Sequence, residues 1–411
     1  MSDLYKSAPD SEIVERESIV DLKKNKLKKK LLQHLYNGGN FTIAQLTKQL
    51  HTSVPSVTAL VEELINEKWV IEVGIAEVQL GRKPTLYSLN PYERFVLALD
   101  INTYQSKAYI LNLQNKVMYS DDIPVCIDGD TPIADQLIRA VEKFLAISAY
   151  RIEHFVGISV SMPGLINPRT GLNYTYPHVV ADGGSLVYLM KSALHLPVFI
   201  INDTQAITLG EHHFGLAKDM QHAITVNMDW GGVGFGVLVN GQVLQGESGF
   251  AGELGHIQVR PDGELCHCGK VGCLDTVTKA SYLIKRIKEL LKEGRVSQLA
   301  NKNIDQIDIE MVIEVANRGD GLAIDLLHDI GKEMGKGLAI AVHLLNPKTI
   351  IINGALAKAG KFISNPIEQA IYKYCLADYK ENLSIVISEL GESAKVLGLQ
   401  AYALNKVLAE D

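Results

Sequence analysis

The chain has 411 residues, of which 47% are hydrophobic and 21% are charged, and its formal net charge is −7. This is the composition of an ordinary globular protein with two or three domains, and it excludes low-complexity and fibrous chains. No apolar run approaches the ~20 residues that a membrane-spanning helix needs. The polar, acidic start of the sequence also lacks the apolar core of a secretion signal. We therefore expect a cytoplasmic protein with no membrane association.

The charges are unevenly distributed along the chain. Between Leu22 and Leu89, ten Lys or Arg stand against five Asp or Glu, so this stretch carries +5 and the rest carries −12. A basic module joined to an acidic protein is typical of a nucleic-acid-binding attachment.

The first 90 residues divide into a tail and a small domain. Residues 1–18 have no sustained periodicity and are predicted to be a mobile tail. Apolar spacing and caps then predict helices over about 18–36, from a Thr42 cap to near Leu50, and from Ser53 or Val54 onward. Two strands follow, at 69–73 and 86–89. Three helices and a hairpin are the outline of a winged helix-turn-helix, which we assign to residues 19–90; a helical protein-interaction domain is the alternative.

The third helix of such a unit lies in the DNA major groove, with its N-terminal residues at the base edges. The loop between the two strands reads Gly-Arg-Lys-Pro, in which the arginine suits a narrow minor groove and the lysine suits phosphates. The candidate DNA-contacting residues are Thr52, Ser53, Ser56, Val57, Thr58, Arg82 and Lys83.

From Phe95 onward, strands alternate with helices, which predicts an α/β domain over residues 91–411. The similar strand–turn–strand openings at Phe95 and Ala223 suggest two related halves. The predicted strands are 95–100, 107–113, 117–120, 155–160, 198–201, 223–228, 233–239 and 349–352, and the predicted helices lie near 133–148, 279–292, 307–317 and 321–345.

Three clustered cysteines and a preceding histidine are the strongest chemical signal. In a cytosolic chain, clustered thiols indicate metal ligands rather than disulfides. A tetrahedral Cys₃His set suits one structural zinc per chain; the alternative is three reduced cysteines packed by chance. His267 is a competing donor that we expect to point away, because it lies between two ligating cysteines. The predicted ligands are His256, Cys266, Cys268 and Cys273.

Polar residues that suit a carbohydrate lie at strand and loop ends. Asn202 and Asp203 follow a strand, at the edge where open α/β sheets bind ligands, and Asp203 could act as a base toward a hydroxyl. Glu253 lies in a Gly-Glu-Leu-Gly-His loop and could hold two sugar hydroxyls. The glycine-rich stretch 229–236 could cradle an anion through backbone N–H groups, or it could be a tight turn between strands.

Together these motifs resemble the ROK family (repressors, open reading frames and kinases). The resemblance rests on the run from Gly249 to His256, the cysteine run from Cys266 to Asp275, and the Ser161–Gly164 segment. It covers over three quarters of the chain. With the winged helix it extends to the repressor branch, which includes xylose, N-acetylglucosamine and glucose-related regulators.

The resemblance implies a two-lobed, actin-like (ribonuclease-H-like) fold with a sugar in the cleft and zinc on the four ligands named above. It implies that the metal orders the sugar-binding loop, since His256 belongs to both sites. The implied sugar contacts are Gly164, Asn202, Asp203, Glu253, His256 and Asp275.

The sequence departs from the family kinases at the residues that hold ATP. Their Asp-x-Gly-Gly-Thr run is Asp100-Ile-Asn-Thr-Tyr104 here, so side chains replace both glycines. Trp230 begins a changed second phosphate loop, and Asp275 replaces the family's glutamate. Asp203, the kinase base, is retained as a vestige, so we expect no catalytic residues and no efficient phosphoryl transfer.

The favoured interpretation is a sugar-responsive repressor. It would bind operator DNA as a homodimer or dimer of dimers and respond to a sugar or sugar phosphate. An ATP-dependent sugar kinase with an appended regulatory domain is the first alternative. A sensor controlled mainly by a protein partner is the second.

Overall fold

A computed structural model describes residues 19–76, 83–127, 131–379 and 381–409 of the chain. The chain divides into two compact units, one comprising Met1–Asn90 with Leu408–Asp411 and the other comprising Pro91–Val407. Within the described ranges, no helix is both long and apolar enough to cross a lipid bilayer.

The first unit has three helices followed by an antiparallel strand pair. Phe41 adds one further bridge to Tyr87 in the second strand. The pairing shifts by one residue between Glu72 and Gly74, where the first strand bulges. The elements are α1 (Ile19–Gly38), α2 (Ile43–Leu50), α3 (Val54–Asn66), β1 (Val70–Ile75) and β2 (Thr85–Leu89).

Both short helices of this unit begin at the predicted caps. The Thr42 hydroxyl accepts from the backbone N–H of Gln45, whose side chain in turn accepts from the N–H of Thr42. The Ser53 hydroxyl accepts from the N–H of Ser56 at the start of α3. A cap of this kind stabilises a helix by about 1 kcal/mol, because it satisfies a backbone N–H that has no partner within the helix.

The second unit contains two five-stranded sheets with the same strand pattern. Their orders are β5-β4-β3-β6-β9 and β12-β11-β10-β13-β14. In each, the first three strands in the chain are antiparallel and the other two pair in parallel. The strands are β3 (Phe95–Asp100), β4 (Ser106–Asn112), β5 (Val117–Ile123), β6 (Phe155–Met162), β7 (Ile166–Asn167), β8 (Leu172–Asn173), β9 (Val198–Asn202), β10 (Ala223–Met228), β11 (Val233–Val239), β12 (Gln242–Val243), β13 (Thr349–Asn353) and β14 (Ser384–Ile387).

Each sheet packs helices on its faces and has its own apolar core. The repeated topology matches the two related halves suggested by the openings at Phe95 and Ala223. The helices are α4 (Ala134–Ser148), α5 (Leu186–Leu194), α6 (Asp203–Phe214), α7 (Asp275–Thr278), α8 (Ala280–Lys292), α9 (Ile309–Asn317), α10 (Gly321–Leu345), α11 (Lys361–Tyr374) and α12 (Ser393–Val407).

Helices α6 and α12 approach unusually closely, and two glycines permit this. A Cβ atom at Gly210 of α6 would lie 1.9 Å from the carbonyl oxygen of Ala394 in α12. A Cβ atom at Gly398 of α12 would lie 1.7 Å from the carbonyl oxygen of Ala206 in α6. The starts of both helices are therefore fixed relative to each other, which matters for the residues they carry.

Several elements had no counterpart in the prediction from sequence, among them α5, α6, α7, α11, α12 and the edge strands β12 and β14. The Asn-Asp motif begins the polar first turn of helix α6, and the buried residues of this helix include threonine, glutamine and glutamate. Apolar periodicity alone could not reveal such a helix.

Candidate functional site

The four predicted metal ligands converge in the structure. The ligand atoms of His256, Cys266, Cys268 and Cys273 all lie within 4.8 Å of one another. Nδ1 of His256 is 3.6 Å from Sγ of Cys266, and Sγ of Cys268 is 3.6 Å from Sγ of Cys273. Zinc bonds of about 2.0–2.3 Å at tetrahedral angles separate ligand atoms by roughly 3.5–3.8 Å. The donor set therefore fits one tetrahedral metal ion.

Tight turns bring these cysteines together. The N–H of Cys266 donates to the carbonyl of Lys270 at 2.8 Å, and the N–H of Gly269 donates back to Cys266 at 2.9 Å. Gly272 has a φ of +75°, and a Cβ atom there would lie 1.5 Å from the carbonyl oxygen of Arg260. Only glycine fits this position, so the loop geometry that gathers the thiols depends on it.

The expectation that His267 points away from the cysteines is wrong. Its Nδ1 lies 3.7 Å from Sγ of Cys266 and 3.8 Å from Oδ2 of Asp275. Cys266, His267 and Asp275 thus form a second, smaller grouping of metal-binding types that shares one thiol with the first.

His256 links the cysteine cluster to a carboxylate. Its Nδ1 faces Cys266, while its Nε2 lies 3.7 Å from Oε2 of Glu253. Burial lowers the pKa of His256, which favours the neutral ring that binds metals. Burial, together with the negative charges of Asp203 and Asp275, raises the pKa of Glu253 to about 7. The metal centre and the predicted sugar residues are therefore adjacent.

The Asn-Asp motif forms the start of α6. Asn202 caps the helix by accepting from the backbone N–H groups of Thr204 and Gln205, and its Nδ2 donates to the carbonyl of Gly164 at 3.1 Å. Asp203 accepts from the N–H and the hydroxyl of Thr204 at 2.7 and 3.2 Å. Burial raises the pKa of Asp203. Three of the predicted sugar contacts, at 164, 202 and 203, are thus held side by side.

A lysine that the sequence did not single out lies beside this motif. Nζ of Lys395, on α12, is 2.9 Å from Oδ2 of Asp100, at the end of β3. The other oxygen of Asp100 accepts from the hydroxyl of Ser161 at 2.9 Å. Only the run around Asp100 was noticed from sequence, because Lys395 comes near it solely through the packing of α12.

Both sheets line one cavity next to these residues, with a volume of about 360 Å³. The lining groups lie at or just beyond the carboxyl ends of parallel strands, where open α/β sheets bind ligands. The polar lining residues include Asp100, Asn102 and Tyr104 from the first sheet, Asn227, Asp229 and Asn353 from the second, and Lys395 from α12.

The glycine-rich stretch 229–236 forms a turn between strands. The N–H of Asp229 donates to the carbonyl of Gly232 at 3.1 Å, which closes the connection from β10 to β11. A Cβ atom at Gly234 would lie 1.9 Å from Oγ1 of Thr204 in α6, and one at Gly236 would meet a threonine hydroxyl of the same helix at 1.8 Å. These two glycines therefore allow β11 to pack against α6, which favours the interpretation as a turn over that as an anion cradle.

Asp275, the last implied sugar contact, is buried beside the glycine-rich turn. Its side chain is only 2% exposed, and Oδ1 accepts from the N–H of Val233 at 2.7 Å. Oδ2 faces His267 and Lys279, each at 3.8 Å. The carboxylate thus ties α7 to the start of β11, and the implied sugar contact at this residue stays a prediction.

In the first unit, α3 begins with an exposed polar surface. Ser53 and Ser56 are exposed, and their hydroxyls are 2.8 Å apart. Thr52 and Thr58 are half-buried, and the Thr58 hydroxyl donates to the carbonyl of Val54 at 3.0 Å. Val57 is a correction: it is fully buried in the small core, so it supports the helix rather than touching bases.

The remaining DNA-binding predictions concern the strand connection and the lysine-rich helix. Lys83 is exposed, and Arg82 lies outside the described residues. On α1, Lys24 pairs with Glu63 at 2.8 Å, and Lys28 pairs with both Glu63 and Glu67 of α3. Part of the basic charge of α1 therefore serves to join two helices.

The ROK family model matches residues 96–406. The chain belongs to the ROK family. The predicted family and the predicted two-lobed α/β fold class are thereby confirmed.

ROK relatives with high similarity include both regulators and kinases. The N-acetylglucosamine repressor of Escherichia coli O6:H1 is 29% identical over 368 residues, covering 90% of this chain and 89% of the relative. The glucokinase of Halalkalibacterium halodurans is 30% identical over 311 residues, covering 74% of this chain and 94% of the relative. A solved ROK family transcriptional regulator, a homologue of the E. coli Mlc protein, matches with a TM-score of 0.80 and 28% identity over 95% of this chain and 98% of its own.

Proposed function

We propose that this ROK protein is a sugar-responsive repressor that binds operator DNA through its first unit. The observation that carries the proposal is the presence of a helix-turn-helix unit ahead of the ROK domain. The similarity to the N-acetylglucosamine repressor extends over 90% of the chain, whereas that to the glucokinase extends over 74%. The family model itself begins only at residue 96. The additional N-terminal unit is what a regulator needs and a kinase does not.

The DNA-reading surface is the start of α3 together with the strand connection. Ser53 and Ser56 present hydroxyls to the major groove, supported by Thr52 and Thr58. Lys83 neutralises phosphates, and Arg82 enters the minor groove. One chain supplies one such unit, so recognition of a palindromic operator requires a homodimer or a dimer of dimers.

The sugar lies at the carboxyl ends of the strands, on the residues that α6 and the metal-linked loop hold in place. Its hydroxyls bond to Asn202, Asp203, Glu253 and His256, with Gly164 forming the wall beside them. Binding controls DNA affinity only if the sugar binds one arrangement of the protein more tightly than the other. The predicted contact with Asp275 is not part of this proposal.

The metal is zinc in a structural role. Four protein ligands close the tetrahedron and leave no open position for a substrate, unlike catalytic zinc sites. When bound, the ion supplies a fixed Lewis-acid anchor for the loop that carries Glu253 and His256. Because the loop is held in this way, the Glu253 carboxylate faces the sugar in a single orientation.

A sugar kinase is the second candidate, and the retained Asp203 together with the glucokinase relative favours it. Asp203 is placed as the base of such a reaction would be, but we propose that it serves only as a hydrogen-bond acceptor. Asn102 and Thr103 occupy the first phosphate run, where the Asn102 side chain accepts from the backbone N–H of Thr103 and the backbone N–H of Asn102 donates to the Ser106 hydroxyl. An ATP-consumption assay with glucose, xylose and N-acetylglucosamine decides between the two, since turnover well above background would make the protein an enzyme.

The DNA-binding proposal is tested with a matched pair of variants in α3. Ser56→Ala removes an exposed hydroxyl, so it should weaken binding to DNA from upstream of sugar-utilisation genes without lowering thermal stability. Val57→Ala removes buried methyl groups, so it should lower the free energy of unfolding by about 2 kcal/mol. Fluorescence anisotropy and thermal denaturation measure the two effects. Failure of the wild-type protein to bind any such DNA, with or without sugars, would reject the proposal.

A further inference from the structure

Lys395 lines the cavity and is nearly buried. Burying a charged lysine is unfavourable unless an acidic partner compensates for the lost solvation. The side chain of Lys395 is 13% exposed, and that of its partner Asp100 is 20% exposed. The close packing of Gly210 in α6 against Ala394 fixes the backbone next to Lys395. The ammonium group therefore has little freedom to leave the site for solvent.

The ammonium group is attracted by two carboxylates. Burial lowers the pKa of Lys395, but the negative charges of Asp100 and Asp203 and the hydrogen bond to Asp100 outweigh it and raise the pKa above its usual value. Conversely, the positive charge of Lys395 lowers the pKa of Asp203, whereas burial and the negative charge of Asp100 raise it. The lysine is thus the cation that two neighbouring acids share.

Asp100 and Asp203 lie at the same edge of the sheet, at the ends of the two strands that flank β6. Two carboxylates placed in this way are unfavourable unless a cation accompanies them. A kinase meets this need with the metal ion that arrives with its nucleotide. In this chain the phosphate run carries Asn102 and Thr103, whereas Lys395 reaches Asp100 from α12. The side chain of Lys395 therefore balances the negative charges of Asp100 and Asp203 whether or not a ligand is bound.

We propose that Lys395 is a positioning residue, a built-in counter-ion that offsets the charges of Asp100 and Asp203 and favours the charged form of Asp203 as an acceptor for a sugar hydroxyl. The last part of this inference rests on the proposed sugar-sensing function. The first part, the charge balance, does not.

The test in the absence of ligand is a double-mutant cycle. Lys395→Met removes the charge and keeps most of the apolar stem, and Asp203→Asn removes one of the two acids. The gain in Tm from D203N should be at least about 2–4 °C larger in the K395M protein than in the wild type, because repulsion between the acids is then unbalanced. The control is Lys358→Met in the same cavity wall, which pairs with exposed Glu310 and Glu392. With K358M, the effect of D203N should be additive, and additivity with K395M would overturn the proposal.

The pH profile of K395M separates charge balance from packing. Without the lysine, repulsion favours protonation of an acid in the folded state, so the Tm deficit of K395M should be larger at pH 8 than at pH 5. Lys395→Arg should restore most of the deficit at both pH values. A deficit equal at the two pH values would mean that the side chain only fills space. The titratable groups that face Asp203 are Asp100, Lys395, Glu253, Tyr104 and Tyr176.

The sugar arm uses glucose, xylose and N-acetylglucosamine with isothermal titration calorimetry. For a sugar that binds the wild-type protein, K395M should weaken binding about tenfold at pH 7 and K395R should restore it. Unchanged affinity in K395M would refute the positioning role. If the wild type binds none of the three, the proposed sugar response fails for them, while the double-mutant cycle still decides the charge balance.

Discussion

Two clusters of ionisable groups lie close together in the second unit, and they balance their charges in opposite ways. The cysteine cluster has three thiols and a histidine whose ligand atoms all lie within 4.8 Å of one another. Its four ligand atoms fit one metal ion, which would come from outside the chain. The carboxylate cluster of Asp100 and Asp203 has its cation built in, since Lys395 lies 2.9 Å from Asp100.

The difference bears on what the proposed sensor needs. In the proposed function, the metal orients the loop with Glu253 and His256, so its loss would disturb the surface that contacts the sugar. The carboxylate cluster needs no bound ion, because Lys395 of α12 supplies the positive charge. We therefore expect the first cluster to depend on metal supply and the second to be independent of any ligand.

The largest expected effect is that of breaking the metal centre. Cys268→Ser should lose the bound zinc, about one ion per chain, and with it the order of the cysteine loop. Structural zinc contributes on the order of 10 kcal/mol to the folding of small domains. We expect a Tm lower by at least about 5 °C, accompanied by fast hydrogen exchange over the loop that carries Glu253.

The matched control is Cys126→Ser, a half-buried cysteine outside the cluster. It should keep both the metal content and the Tm of the wild type. Metal analysis by mass spectrometry, with and without a chelator, measures the first quantity. A C268S protein that retains a full equivalent of zinc would show that the four residues are not its ligands.

A smaller effect is expected from replacing the carboxylate of the pair between Asp100 and Lys395. Asp100→Asn leaves Lys395 with Asp203 as its main counter-charge and weakens the acceptor of the Ser161 hydroxyl. The free energy of unfolding should fall by roughly 2–3 kcal/mol, since both partners are nearly buried. Asp122→Asn is the control on the same sheet, because its pair with Lys107 is exposed and 3.8 Å long. Denaturant titration should show almost no change for D122N. An equal loss in both variants would remove the distinction between a buried pair and a surface pair.

The metal centre could be predicted from sequence because its spacing is local. Three ligands lie within eight residues, and glycine is required where the chain turns, so the motif carries its own geometry. The same holds for the Asn-Asp motif and for the caps Thr42 and Ser53, whose partners are two or three residues away. Short-range hydrogen-bonding rules are sufficient to place such residues.

The carboxylate cluster could not be predicted, because its members come from distant parts of the chain. Lys395 and Asp100 are 295 positions apart, and α12 had not been recognised as an element. Val57 was misassigned because a helix start carries both exposed and buried positions, and only the packing of α3 shows which is which. The sugar contact of Asp275 is implied by resemblance, whereas the hydrogen bond of its carboxylate to the β11 backbone could not be predicted from spacing.

The smallest expected effect is that of the lysine pair between α1 and α3, which extends the comparison to the first unit. Lys28 on α1 lies 2.8 Å from Glu63 and 2.6 Å from Glu67 on α3. Because these acids are 32% and 41% exposed, against 20% for Asp100, Lys28→Met should lower the free energy of unfolding by no more than about 1 kcal/mol. The difference from wild type should shrink further in 1 M salt, where screening acts within about 3 Å. Lys23→Met, an exposed lysine of the same helix, controls for the general loss of positive charge. A loss above about 2 kcal/mol that salt does not reduce would place Lys28 with the buried pair at Lys395 rather than with surface charges.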